Sequence, residues 1–70
     1  MGAAFDAGGE AAQADYDSGR LTYDPVRCLL AADKWARERM LAEDVKPSEA
    51  KGWMQDWIIG YASFYEELPS

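Results

Sequence analysis

The side chains in this sequence best suited to chemistry near neutral pH are its carboxylates and one thiol. It has thirteen Asp and Glu, a single cysteine, Cys28, and no histidine. Without histidine the commonest general base and metal ligand is missing, and neither a Ser-His-Asp nor a Cys-His arrangement is possible. Cys28 has no companion thiols for a zinc site. As a nucleophile it would need an activating base or cation. Arg27 is adjacent in sequence, but neighbours on a helix point in different directions, so a packed thiol is the plainer reading. Asp15 and Asp17, two apart on a helix, diverge by about 200° and do not converge on one ion. The run Asp15-Tyr16-Asp17-Ser18-Gly19 echoes the start of a calcium loop, but it lacks the third acid and its glycine comes one position early. Gly8-Gly9-Glu10 matches no phosphate-binding fingerprint. The chain therefore reads as a non-enzymatic protein with no metal and no cofactor.

What the carboxylates can do together is make a field. Thirteen acidic against seven basic residues leave a net charge of -6. That balance opposes direct binding of nucleic acid or an anionic membrane, because neutralising phosphate needs Lys and Arg. It favours a protein partner with a basic surface, although acidity also serves solubility alone. Asp6, Glu10, Asp15 and Asp17 all precede the first basic residue, Arg20. Glu43-Asp44 and Glu66-Glu67 add acidic pairs at two helix ends. Counting 100° per residue, Glu49, Asp56, Gly60 and Glu67 fall on one band of a helix, with Gly52, Ile59 and Ser63 beside them. A mid-helix Gly costs about 1 kcal/mol relative to Ala, so two of them ask for a reason. One reason is a flat docking strip for a basic partner, and another is close packing of a neighbouring helix. The expected partner-contacting set is Asp15, Asp17, Glu43, Asp44, Glu49, Asp56, Glu66 and Glu67.

Three helices must position these groups. Residues 1–9 are rich in Gly and Ala and read as a loose arm, with Phe5 docked on the core. Residues 10–70 read as one helical domain. Glu10 to Ser18 suit a short helix closed by Gly19. Asp24 is a good N-cap and Pro25 a good first residue for a second helix, running to about Ala42. Its apolar face is expected to be Val26, Leu29, Leu30, Ala32, Ala36, Met40 and Leu41, interrupted by an Asp33–Arg37 pair, with Cys28 and Trp35 toward the opposite edge. A third helix opens at Pro47 and runs to about Glu67, stopped near Pro69. Ala50, Trp53, Met54, Trp57, Ile58, Tyr61, Phe64, Tyr65 and Leu68 recur along it at three- and four-residue steps and read as its core stripe. The short connector between helices 2 and 3 makes them an antiparallel hairpin. No second strand pattern accompanies Leu21 and Tyr23, so no sheet is expected. The fold class is an all-α, compact three-helix domain.

A chain of 70 residues buries only about 60% of the surface its unfolded form exposes, which leaves no room for a core plus a deep substrate cavity. No stretch approaches the roughly 18 apolar residues of a membrane span. Met1 to Asp6 lacks the basic n-region of a secretory leader, and a lone cysteine suits a reducing cytoplasm.

A very short chain, an acidic balance, no histidine, no catalytic motif and a self-contained helical pair together resemble the small acidic inhibitors of phages and mobile elements. Among these the resemblance is to anti-CRISPR proteins directed at type I effectors. It rests on overall character and carries no residue across by position. It implies a DNA mimic in the host bacterial cytoplasm, blocking a basic DNA- or RNA-binding surface on a Cas subunit. Lys34, Arg37 and Arg39 on helix 2 depart from a pure nucleic-acid mimic. The alternative is a helical adaptor, antitoxin-like or dimerisation module that meets its partner through apolar contacts.

Overall fold

The computed structural model describes residues 2–68. It is an all-α domain of three helices, α1 (Ala3–Asp17), α2 (Pro25–Glu43) and α3 (Pro47–Glu66). Pro69, where the third helix is expected to stop, lies outside the described residues. α3 is the central element and both other helices pack on it. Trp35 meets Trp53, while Tyr23, just ahead of α2, meets Tyr61 and Tyr65. Rising numbers on α2 therefore match falling numbers on α3, which makes the pair an antiparallel hairpin. On the other flank Gly8 lies against Trp57 and Tyr16 against Phe64, so α1 runs parallel to α3.

The helix ends follow their local chemistry. The Asp24 carboxylate accepts from the backbone N–H groups of Val26 and Arg27, at 3.0 and 3.3 Å, satisfying donors that a helix start leaves free. α1 closes on Gly19, whose φ of 103° is open to glycine at no steric cost. There the Gly19 N–H donates to the Tyr16 carbonyl and the Arg20 N–H to the Asp15 carbonyl, the paired bonds of a Schellman cap. Asp44, at φ 52°, turns the chain out of α2.

The core combines two small stripes with one large one. α1 buries Ala4, Gly8 and Ala12, and α2 buries Cys28, Ala32 and Ala36. Each set recurs every four residues and so forms one line along its helix. Between them α3 presents Trp57 and Tyr61, both 2% exposed and stacked at 5.3 Å, with Trp53, Met54, Ile58, Phe64 and Tyr65 packed around them.

Two expectations are overturned. Residues 3–9 are not a loose arm but the first two turns of α1. Gly8 and Gly60 are buried at the crossing of α1 and α3, where a Cβ on Gly8 would fall closer than 3.0 Å to the Trp57 carbonyl and a Cβ on Gly60 equally close to the Phe5 carbonyl. Each glycine thus seats on the carbonyl of the aromatic residue three places before the other glycine, in the matching stretches Phe5-x-x-Gly8 and Trp57-x-x-Gly60. Backbone-to-backbone packing of this kind offsets the entropy that makes glycine a poor helix former. The second reversal concerns α2. Its buried side carries Cys28, Ala32 and Ala36, with Trp35 partly covered against Trp53. Val26, Leu29, Leu30 and Leu41 are 68, 53, 66 and 88% exposed. The line of small residues wins because it lets α2 come close to the broad aromatic ridge of α3, which a row of leucines would hold off.

Gly8→Ala and Gly60→Ala each force this crossing apart, and should each cost about 1–3 kcal/mol or more of unfolding free energy. Gly52, also in α3 but with nothing near its missing Cβ, should behave oppositely, with Gly52→Ala gaining up to about 1 kcal/mol. Urea unfolding of the three variants checks the contrast.

Candidate functional site

The structure separates the expected carboxylates into one that is consumed internally and seven that face solvent. Asp15, on the inner edge of α1, accepts two hydrogen bonds from the Arg27 guanidinium, from Nε at 3.1 Å and Nη2 at 2.8 Å. It also accepts the hydroxyl of Tyr61, buried in α3. One carboxylate therefore ties all three helices together. The Arg27 hydrogen bonds hold Asp15 below its usual range, aided by the Tyr61 hydroxyl and opposed by partial burial. Burial, followed by the bond to Asp15, pushes the Tyr61 phenol up. Neither Arg27 nor the Tyr61 hydroxyl has a local sequence signal, because the partners lie 12 and 46 residues from Asp15.

Asp17, Glu43, Asp44, Glu49, Asp56, Glu66 and Glu67 are all exposed. Glu43 is engaged by Arg39 at 3.0 Å, and Arg39 also lies over the Trp35 ring at 5.5 Å. Arg37 pairs with Asp33 at 2.8 Å, as their spacing predicts, and Arg20 with Asp24 at 3.4 Å. Every arginine is thus engaged by a carboxylate of its own chain, on Asp15, Asp24, Asp33 or Glu43. Among the described residues the other nine carboxylates carry no ion pair, against three lysines.

These free acids are not spread evenly. Asp6 and Glu10 on α1 stand beside Glu67 on α3 along a shallow groove over the glycine crossing, lined also by Phe5, Gln13 and Ser63. α1 covers Gly60, so the expected strip along α3 is interrupted there, with Glu49 and Asp56 on one side and Glu67 on the other. Asp6 falls in the stretch expected to be a loose arm, and only the helix that starts at Ala3 fixes it beside Glu10 and Glu67.

A second surface has the opposite character. The outward side of α2 carries the exposed Val26, Leu29, Leu30 and Leu41, with the half-buried Met40 at its edge and Asp33 and Arg37 in its middle. It continues into an open cleft toward α1, bordered by Ala11, Asp15, Arg27 and Lys34. Cys28 is fully buried, and that burial raises its thiol above the ordinary range, with the Tyr23 side chain opposing the shift. Among the described residues no group of three or more His, Cys, Asp or Glu is placed to hold a metal ion, and no helix is long and apolar enough to cross a membrane. No protein-family model, curated protein or solved structure matches the chain.

Asp15→Ala should cost about 1–3 kcal/mol at neutral pH, because it leaves the buried Tyr61 hydroxyl without an acceptor. The folded-state pKa of Asp15 lies below its unfolded value of about 3.9, so its ionic contribution is present above that value and is lost as pH falls through the folded pKa. The stability gap between wild type and Asp15→Ala should therefore narrow below about pH 4, as read by urea unfolding across a pH series.

Proposed function

We propose that this chain is a non-enzymatic inhibitor that occupies a basic nucleic-acid-binding surface on a protein of a bacterial complex, in the manner of the small acidic anti-CRISPR proteins. The target class is a type I effector subunit, and the setting is the cytoplasm of the host bacterial cell. The observation that carries this reading is the ion-pair pattern. With every arginine engaged by a carboxylate of its own chain, the outward field among the described residues is that of nine unpaired carboxylates against three lysines. Asp6, Glu10 and Glu67 concentrate part of that charge along one groove. Asp56, Glu49 and Glu66 extend it along α3, and Asp17 and Asp44 carry it to the helix ends.

Such a surface suits a DNA mimic. Carboxylates held on rigid helices stand in for spaced phosphates, and a basic channel attracts them over distance, raising the rate of encounter. The backbone contact at Gly8 and Gly60 holds α1 against α3, so the acids along the groove can meet one partner together. No nucleic acid need touch the inhibitor itself.

A second reading, a helical adaptor, antitoxin-like or dimerisation module binding through apolar contacts, draws on the exposed leucines of α2. The two differ in their response to salt, because screening weakens exposed charge pairs and leaves apolar contacts largely intact.

Binding to a purified type I effector, with displacement of its DNA as the readout, tests the proposal. The combined variant Asp6→Lys, Glu10→Lys, Glu67→Lys should lower affinity at least tenfold, about 1.4 kcal/mol, and wild-type affinity should fall steeply with added salt. Wild-type binding that ignores salt and is lost in Leu30→Glu would favour the adaptor. Absence of any binding to type I effectors would remove this target class.

A further inference from the structure

We propose that α2 is the contact of a symmetric homodimer, in which two copies lay their outward α2 faces together antiparallel. The starting observation is a face with no cover. Val26, Leu29, Leu30 and Leu41 are more than half exposed on a single side of one helix, opposite the stripe that packs on α3. Scattered surface leucines need no explanation, but Val26, Leu29 and Leu30 at one end and Leu41 at the other share one face of a single helix, and apolar exposure gathered on one face marks an interface. In the middle of the row sits the Asp33–Arg37 pair, with side chains 43 and 75% exposed. Any occupant must bury or answer those two charges.

A second copy answers them in one orientation. If the two α2 helices run antiparallel about a two-fold axis at the level of residue 35, Asp33 of each copy faces Arg37 of the other. The same register sets Leu30 against Leu41 of the second copy and Leu29 against its Met40. Four charges then alternate in sign around the axis, flanked on both sides by apolar pairs. A parallel arrangement would instead set Asp33 against Asp33 and Arg37 against Arg37, which like-charge repulsion opposes. The contact is isologous, with one patch serving both copies, as a closed dimer requires. A foreign helix would need the same acid–base spacing in reverse, and this chain already carries it. A lipid surface does not suit the patch, which has two charges at its centre on a chain of net charge -6.

This inference does not depend on the acidic-groove reading, because purified protein alone tests it. Sedimentation equilibrium over a concentration series should give twice the 7.8 kDa of one chain, falling to a single chain on dilution. Leu30→Glu combined with Leu41→Glu should remain monomeric throughout with unchanged helix content, since both sites are exposed. Asp33→Arg alone and Arg37→Asp alone should each weaken association at least tenfold. An equimolar mixture of those two variants should recover it, because each then supplies the charge the other needs. A wild type that stays at one chain at every concentration overturns the proposal. So does dimerisation that survives the two leucine changes, or a mixture that associates no better than its separate components.

Discussion

The whole molecule is arranged around the width of the aromatic side chains on α3. Trp57 and Tyr61 are almost fully buried between the two flanking helices. The flanking helices therefore approach through lines of Ala, Gly and Cys, and bring their backbones up to the rings. On the α1 side this goes to the limit, with Gly8 and Gly60 each resting on a carbonyl of the opposite helix. Carbonyl-to-helix contact of this kind adds many small dispersion gains. It also fixes the crossing point, because moving either helix along the other meets a Cβ.

Two outward properties follow from that inward arrangement. Using the small residues of α2 inside leaves its leucines outside. Using the glycines of α1 inside leaves Asp6 and Glu10 facing out beside Glu67. The apolar face and the acidic face are thus consequences of one packing solution, set on different sides of the domain. An assembly through the α2 face would leave both acidic grooves open.

Much of the fold was legible in the sequence. The Asp24-Pro25 and Pro47 starts, the αL glycine at position 19 and the three- and four-residue recurrence on α3 are local signals, and each element begins or ends where its chemistry says. The start of α1 was not legible, because Gly8 and Gly9 lower helix propensity locally and are repaid only by contacts with a helix about 50 residues away. The buried side of α2 was not legible for a related reason. Periodicity ranks faces by hydrophobicity, but the choice here was made by size, with Cys28, Ala32 and Ala36 fitting where leucines do not. Among the candidate contact residues, exposure of the helix-end acids could be read directly. The internal engagement of Asp15 could not, since both of its partners arrive through tertiary structure.

The burial of Cys28 makes it an internal clock. The only thiol of the chain sits fully covered at the α2 side of the core, with its ionisation suppressed by that burial. An alkylating reagent can reach it only in the moments when α2 lifts from α3. The labelling rate therefore counts openings of the hairpin, and comparing it with global unfolding separates a helix that detaches on its own from one that leaves only when the whole domain melts.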